Sequence, residues 1–133
     1  MSAIKVVIAG CSGRMGRVLL DCVAQADDLA LHAALDHASS PHLGKDASEF
    51  GGTRGVAVTA DAATALQGAD VLIDFTRPEG TLHHLEICQQ YGVNIVIGTT
   101  GFSAQEKAVL GAAAQNIDVM LGLESDADYG LAD

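Results

Sequence analysis

The stretch that most constrains this chain is Ile4-Lys5-Val6-Val7-Ile8-Ala9, followed at once by Gly10, Gly13 and Gly16. A β-branched apolar run of this kind is a buried strand, and it drives straight into glycines at three-residue spacing ahead of a helical pattern. Strand, tight turn and helix N-terminus in that order leave first-turn N–H groups unpaired at the positive end of the helix dipole. Such a turn binds phosphate with little positive charge, and glycine lets the backbone bend sharply and approach the anion closely. The spacing is G-x-x-G-x-x-G: Cys11 stands where the first glycine of G-x-G-x-x-G would be, Gly13 and Gly16 match its last two, and Gly10 supplies the turn.

Twenty residues beyond Gly16 lies Asp36, closing a second apolar run from Leu29 to Leu35. An acid at that offset accepts hydrogen bonds from the ribose of an adenine dinucleotide; the alternative is a solvated strand end. A chain of 133 residues makes one domain with a real core, and 49% hydrophobic against 18% charged residues excludes a disordered polymer. The formal net charge of −10 opposes nucleic acid and anionic membranes as partners, but not a dinucleotide held by local dipoles. No apolar run approaches the roughly 20 residues of a bilayer span. Met1-Ser2-Ala3 leads directly into the first strand, so no signal peptide is expected, and Cys11, Cys22 and Cys88 show no paired spacing. The expectation is a reduced, cytoplasmic protein.

After the glycines, Met15, Val18, Leu19, Cys22, Val23 and Ala26 recur at helical steps, which predicts one buried face with Cys22 in the core. Strand-like runs follow at Leu29–Leu35, Val56–Thr59, Val71–Asp74, Asn94–Ile97 and Ile117–Leu121, with helical patterns at Ala62–Gln67, Glu79–Tyr91 and Ala104–Gln115. Asp61 reads as an N-cap, Gly92 as a C-terminal cap and Ser103-Ala104-Gln105-Glu106 as a capping box. Strands alternating with helices imply βαβ crossovers. The expected fold is α/β: a doubly wound, Rossmann-like parallel sheet of about six strands with helices on both faces. Residues 37–55 break the rhythm and read as a surface loop, with a short helical turn near Asp46–Phe50.

Two further segments fall at C-terminal strand ends, where open α/β sheets bind ligands: Asp74-Phe75-Thr76-Arg77-Pro78-Glu79-Gly80-Thr81 and Gly98-Thr99-Thr100-Gly101-Phe102. With Ile8-Ala9-Gly10, Gly13-Arg14-Met15-Gly16, Ala34-Leu35-Asp36 and Val96-Ile97, they resemble the N-terminal, cofactor-binding domain of the dihydrodipicolinate reductase (4-hydroxy-tetrahydrodipicolinate reductase) family of lysine–diaminopimelate biosynthesis. The resemblance covers residues 4 to about 119. It implies an oxidoreductase that moves hydride from NADH or NADPH to a cyclic imine. Gly10, Cys11, Ser12, Gly13, Arg14 and Met15 would wrap the pyrophosphate, with Gly16 needed for helix–strand packing, and Asp36 would bind the adenosine ribose. Many family members follow that acid with an Arg that meets a 2′-phosphate. His37 stands here, which makes NADH at least as acceptable as NADPH. Phe75 would pack near the nicotinamide ribose, Gly98 and Thr99 would contact the nicotinamide end, and Thr100 would reach towards a substrate carboxylate.

Near residue 120 the sequence departs from the family, which continues through an A-x-N-x-S-x-G loop, a long helix and a substrate domain with an H-H-R-H-K-like motif. The expected division is a dinucleotide-binding domain over 1–121 and a divergent acidic tail over 122–133, with Glu124, Asp126, Asp128 and Asp133. No catalytic residue is assigned within the chain. Its partners would be a dinucleotide and, with a substrate domain supplied, a small dicarboxylate; an oligomer stays open. A non-catalytic nucleotide-binding or regulatory module is the rival reading, and another dehydrogenase that has lost its catalytic domain is a second.

Other side chains have plain readings beside chemical ones. Adjacent His83 and His84 diverge by about 100° on a helix, so they do not chelate together. His84 and Cys88, at i, i+4, either share a metal or pack into the core. His32 reads as a packing residue in a strand, and Arg14 meets either a phosphate or solvent. Cys11, in the glycine turn, is the cysteine expected to be exposed.

Overall fold

In a computed structural model, which describes residues 3–121, the alternating pattern becomes a six-stranded parallel sheet. The elements run β1 Ile4–Ala9, α1 Arg14–Gln25, β2 Leu29–Leu35, a 3-10 turn Ala47–Phe50, β3 Val58–Thr59 and α2 Ala62–Leu66. They continue as β4 Val71–Asp74, α3 Pro78–Tyr91, β5 Asn94–Ile97, α4 Ala104–Ala113 and β6 Val119–Leu121. Strand order is β3-β2-β1-β4-β5-β6, so the chain winds outward from β1 in one direction, then returns and winds the other way. The expected doubly wound architecture is the one found.

Side chains alternate across each strand and build two cores. Val7, Leu35, Leu72, Ile95 and Ile97 meet Leu66, Leu85, Cys88 and Leu110 from α2, α3 and α4. On the other face Val6, Ile8, Leu31 and Ala34 meet Leu20 and Val23 of α1 and Phe50 of the 3-10 turn. Right-handed crossovers explain the split: connections that move one way along a sheet land on one face, and those moving back land on the other.

The predicted caps are present. Asp61 accepts from the Thr64 N–H at 3.1 Å, Gly92 ends α3 at φ +70°, and Ser103 and Glu106 cap each other's backbone at 3.1 and 2.7 Å. Strand β3 is shorter than the Val56–Thr59 run because Ala57 bridges antiparallel to Asp46, and the Val56 carbonyl accepts from Ala47. Strand β6 starts two residues late because the Ile117 N–H closes back onto Ala113, and the Asp118 N–H goes to the Asn94 side chain.

Two expectations are corrected. Cys22 is exposed, not core, and Met15 and Val18 are 44% and 52% exposed; the inward residues of α1 are Gly16, Leu20 and Val23. Gly16 sets this meridian. A Cβ there would lie 2.1 Å from the Gly10 carbonyl oxygen and 2.7 Å from the Cys11 Cα, so α1 rests on the turn backbone at that point and its larger apolar residues rotate sideways. Cys11 is buried, not exposed: the N–H groups of Gly10 and Cys11 both donate to the Leu35 carbonyl, drawing Cys11 into the α1 core. Among the described residues no helix is long and apolar enough to cross a membrane.

Candidate functional site

At the C-terminal ends of β1, β2 and β4 lies a cleft of about 660 Å³. One wall is the glycine turn, with Gly10, Ser12 and Gly13 on it; a second is the end of β2, with Leu35, Asp36 and His37. The third is the β4–α3 loop and the first turns of α3, contributing Phe75, Thr76, Arg77, Glu79, Gly80 and His84.

Gly10 takes φ +75°, a left-handed conformation that favours glycine, and a Cβ there would press on Thr76 Cγ2 at 3.3 Å. Gly13 is the N-cap of α1 and makes no side-chain capping bond, so the first-turn N–H groups at Arg14 and Met15 have no side-chain cap. The N–H groups of Gly10, Cys11 and Gly13 are engaged within the protein, the last with the Gly10 carbonyl at 3.0 Å. An anion here therefore meets the helix end rather than the start of the turn. The turn is braced from below by Arg17, whose Nε–H donates to the Ser12 carbonyl at 2.9 Å while its guanidinium lies 5.0 Å from the Phe50 ring centre.

Across the cleft, Asp36 accepts from the Ser12 hydroxyl, from the Ser40 hydroxyl at 2.8 Å and from the His37 N–H at 3.0 Å. Burial raises its carboxyl pKa, but the Ser12, Ser40 and His37 hydrogen bonds outweigh this and hold it below the ordinary aspartate value. The Ser12–Asp36 bond ties the glycine turn to the end of β2. Cys11, behind the turn, has its thiol pushed up to about 11 by burial and by the Asp36 charge, so it is no nucleophile.

The β4 side holds a buried polar knot. Asp74, 0% exposed, accepts from the Thr76 N–H at 2.9 Å and the Thr76 hydroxyl at 2.5 Å, and pairs with His84 Nδ1 at 2.7 Å. Burial raises the carboxyl, and the His84 and Thr76 contacts reverse that, leaving it below the ordinary value. A carboxylate only accepts, so Nδ1 of His84 carries the proton of this bond. Thr81 and Thr99 join hydroxyls at 2.9 Å beside the Asp74 carbonyl. Cys88, four residues beyond His84, is buried and its thiol is pushed up to about 12 by burial and the Asp74 charge; of the two readings for this pair, core packing is the one found for Cys88.

Of the residues singled out in the sequence, Gly10, Ser12, Gly13, Asp36, His37 and Phe75 converge on the cleft. The side chains of Arg14 and Met15 are exposed and lie off its lining, and that of Cys11 is buried behind it. Gly98 and Thr99 stand behind Phe75: a Cβ on Gly98 would lie 2.0 Å from the Phe75 ring, and Thr99 is 4% exposed. Thr100 is exposed beyond them. His32 bonds the Gln67 carbonyl at 2.8 Å, beside a register shift between β1 and β2. The acidic run of 122–133 lies outside the described residues. Sequence reasoning missed Ser40, Arg17 and His84 as parts of the site. For His84 a signal existed, since it follows Gly80 by one helical turn from a Pro78 start.

A family model described as dihydrodipicolinate reductase, N-terminus, matches residues 4–122. A 4-hydroxy-tetrahydrodipicolinate reductase of Nitrosomonas europaea is 49% identical over 122 residues, covering 91% of this chain and 46% of the relative. One from Chromobacterium violaceum is 53% identical over 116 residues, covering 86% and 43%. The chain thus spans a little under half the length of the curated relatives it matches. Among solved structures, a dipicolinate-bound dihydrodipicolinate reductase from Paenisporosarcina sp. TG-14 superposes with a TM-score of 0.69 at 28% identity, covering 91% of this chain and 47% of that one. An apo scyllo-inositol dehydrogenase from Lactobacillus casei reaches the same TM-score, 0.69, at 20% identity over 91% of this chain and 37% or less of its own, a likeness of fold alone.

Proposed function

The chain belongs to the dihydrodipicolinate reductase N-terminal family, and from that premise we propose that it is the cofactor-holding domain of a 4-hydroxy-tetrahydrodipicolinate reductase. NADH or NADPH would lie across the cleft above β1, β2 and β4. The observation that carries this reading is the meeting of an uncapped helix N-terminus at Gly13 with the Asp36 carboxylate on facing walls of one cleft. Those residues fit a dinucleotide: Gly13 presents no side chain where a phosphate approaches, and Asp36 accepts hydrogen bonds as a ribose diol requires.

The chain's own contribution is binding and orientation. The first-turn N–H groups at Arg14 and Met15, with Ser12 and Gly13, would hold the pyrophosphate on the helix dipole. Asp36 would exchange its Ser12 and Ser40 donors for ribose hydroxyls. Phe75, seated on Gly98, would wall the nicotinamide end and exclude water, while Thr99, tied to Thr81, fixes the loop from behind. Thr100 would face the substrate carboxylate. When bound, the cofactor supplies the hydride. His37 in place of an arginine supports NADH binding at least as tightly as NADPH.

Proton delivery to the reduced imine needs an acid of suitable pKa, and we assign that role to none of the described residues. Asp36 belongs to the adenosine end, and Asp74 is committed to Thr76 and His84. The isolated chain therefore binds cofactor with little turnover. A coupled assay following NADH oxidation with freshly generated substrate tests this. Turnover within tenfold of a full-length relative would overturn it.

A further inference from the structure

The cleft has two sides, and the roles given above use one of them. Strand alternation sorts the lining. Leu72 and Ile97 pack under α2, α3 and α4, so Asp74, two residues beyond Leu72, points the same way and meets His84 of α3. Phe75 and Gly98, each one residue out of phase, meet on the opposite side, that of α1. Ser12 and Asp36, bonded to each other, also stand at the α1 turn. Leu35, Thr76, Gly80 and His84 are left to line the α3 side, with no ligand group yet placed against them.

That side suits a flat ring. Leu35 gives it a buried apolar floor, and Gly80, one helical turn before His84, presents no side chain; a Cβ there would lie 3.0 Å from Thr76 Oγ1. The His84 side chain is 15% exposed. Its Nδ1–H is engaged by Asp74 at 2.7 Å, and Nε2, across the ring, has no hydrogen-bond partner among the described residues. The buried Asp74 thus fixes the tautomer, and a neutral imidazole held this way shows the cleft an acceptor.

We propose that the α3 side of the cleft holds the adenine base of the dinucleotide and that His84 Nε2 accepts a hydrogen bond from its 6-amino group, so that His84 selects a 6-amino purine over a 6-oxo purine. The inference rests on the dinucleotide reading of the cleft and deepens it. With the ribose on Asp36 and the pyrophosphate at the α1 N-terminus, the base carried by that ribose enters the protein on the α3 side. A phosphate or carboxylate offers acceptors alone and faces the Asp74 and Glu79 carboxylates, so it fits this wall poorly. An amino group is the donor that Nε2 lacks. Hypoxanthine carries a carbonyl oxygen at the same position and sets acceptor against acceptor, leaving two desolvated polar atoms unpaired.

Titration of the chain with NADH and with reduced nicotinamide hypoxanthine dinucleotide, at mildly alkaline pH where imidazole is neutral, tests the assignment. ADP and IDP repeat the comparison without the nicotinamide half. The expected result is a preference of at least about tenfold for the amino form in both pairs. His84→Asn keeps an amide N–H within reach of Asp74 but ends short of the Nε2 position; it should narrow the preference to within about twofold, with urea-unfolding stability close to the parent's. His84→Gln, whose amide oxygen extends to that position, should restore the preference. His83→Asn, on the exposed neighbour, should leave it unchanged. A parent that binds NADH and its hypoxanthine analogue equally, or a preference that survives in His84→Asn, overturns the proposal and leaves the dinucleotide reading intact. A folded parent that binds none of the four nucleotides overturns both.

Discussion

Gly13 and Gly16 belong to one motif yet do different things, and substituting each separates binding from folding. Gly13 sits at φ −75°, ψ 174°, extended backbone that any residue adopts, and its Cβ would lie 3.3 Å from the Gly10 carbonyl oxygen. That contact yields with a shift of a few tenths of an ångström. The loss of unfolded-state freedom on replacing glycine stabilises by about 0.4–1 kcal/mol, which offsets the strain. Gly13→Val is therefore expected to leave urea-unfolding stability within about 1 kcal/mol of the parent. Its methyl groups would stand in the phosphate approach and remove at least one charge-assisted hydrogen bond, worth about 1.5–3 kcal/mol, or roughly 10- to 150-fold in affinity. Gly16→Ala is the opposite case. Its Cβ would fall 2.1 Å from a backbone oxygen that no side-chain rotation can clear, so α1 must lift from the turn. The expected loss of stability is at least about 1–3 kcal/mol, the usual range for overpacking. The assay pairs urea unfolding with NADH titration by fluorescence for both variants. A folded Gly13→Val protein with parental affinity would refute the assignment of the turn, and a Gly16→Ala protein of full stability would refute the packing argument.

Two further outcomes follow from single side chains. Asp74→Asn, which removes a buried charge paired with His84, should cost about 1–3 kcal/mol at neutral pH in urea unfolding. Because the Asp74 carboxyl is held below its unfolded value, its contribution is complete above about pH 4 and is lost as pH falls through the folded value; the parent should therefore lose stability more steeply than the variant in acid. His37→Arg places a permanent, fork-shaped cation beside Asp36, and should shift the NADPH-to-NADH affinity ratio upward by about tenfold in competitive titration, by a net contribution of about 1.4 kcal/mol. An unchanged ratio would mean that the residue after Asp36 does not read the 2′-position.

Most of the fold was legible because local signals agreed. Leu29–Leu35, Val71–Asp74 and Asn94–Ile97 are strands at the predicted bounds, since apolar runs between turn residues leave few alternatives. Ends set by tertiary pairing were not legible: Val56 and Ala57 pair with the loop at Asp46 and Ala47 instead of extending β3. The burial of α1 was misread for a physical reason. Periodicity reports where apolar residues cluster, but the helix rests on Gly16, whose value lies in having no side chain. The glycine turn, Asp36, His37 and Phe75 were visible as parts of the site because each sits at a strand end. Ser40 and His84 enter through long-range bonds to Asp36 and Asp74, and spacing alone does not reveal such partners.

Calorimetric titration of the chain with NADH, beside NADPH, tests the cofactor assignment most directly. The cleft of Gly13 and Asp36 predicts one saturable site per chain, with NADH bound at least as tightly as NADPH. Absence of heat and of any change in nucleotide fluorescence with a folded chain would contradict it.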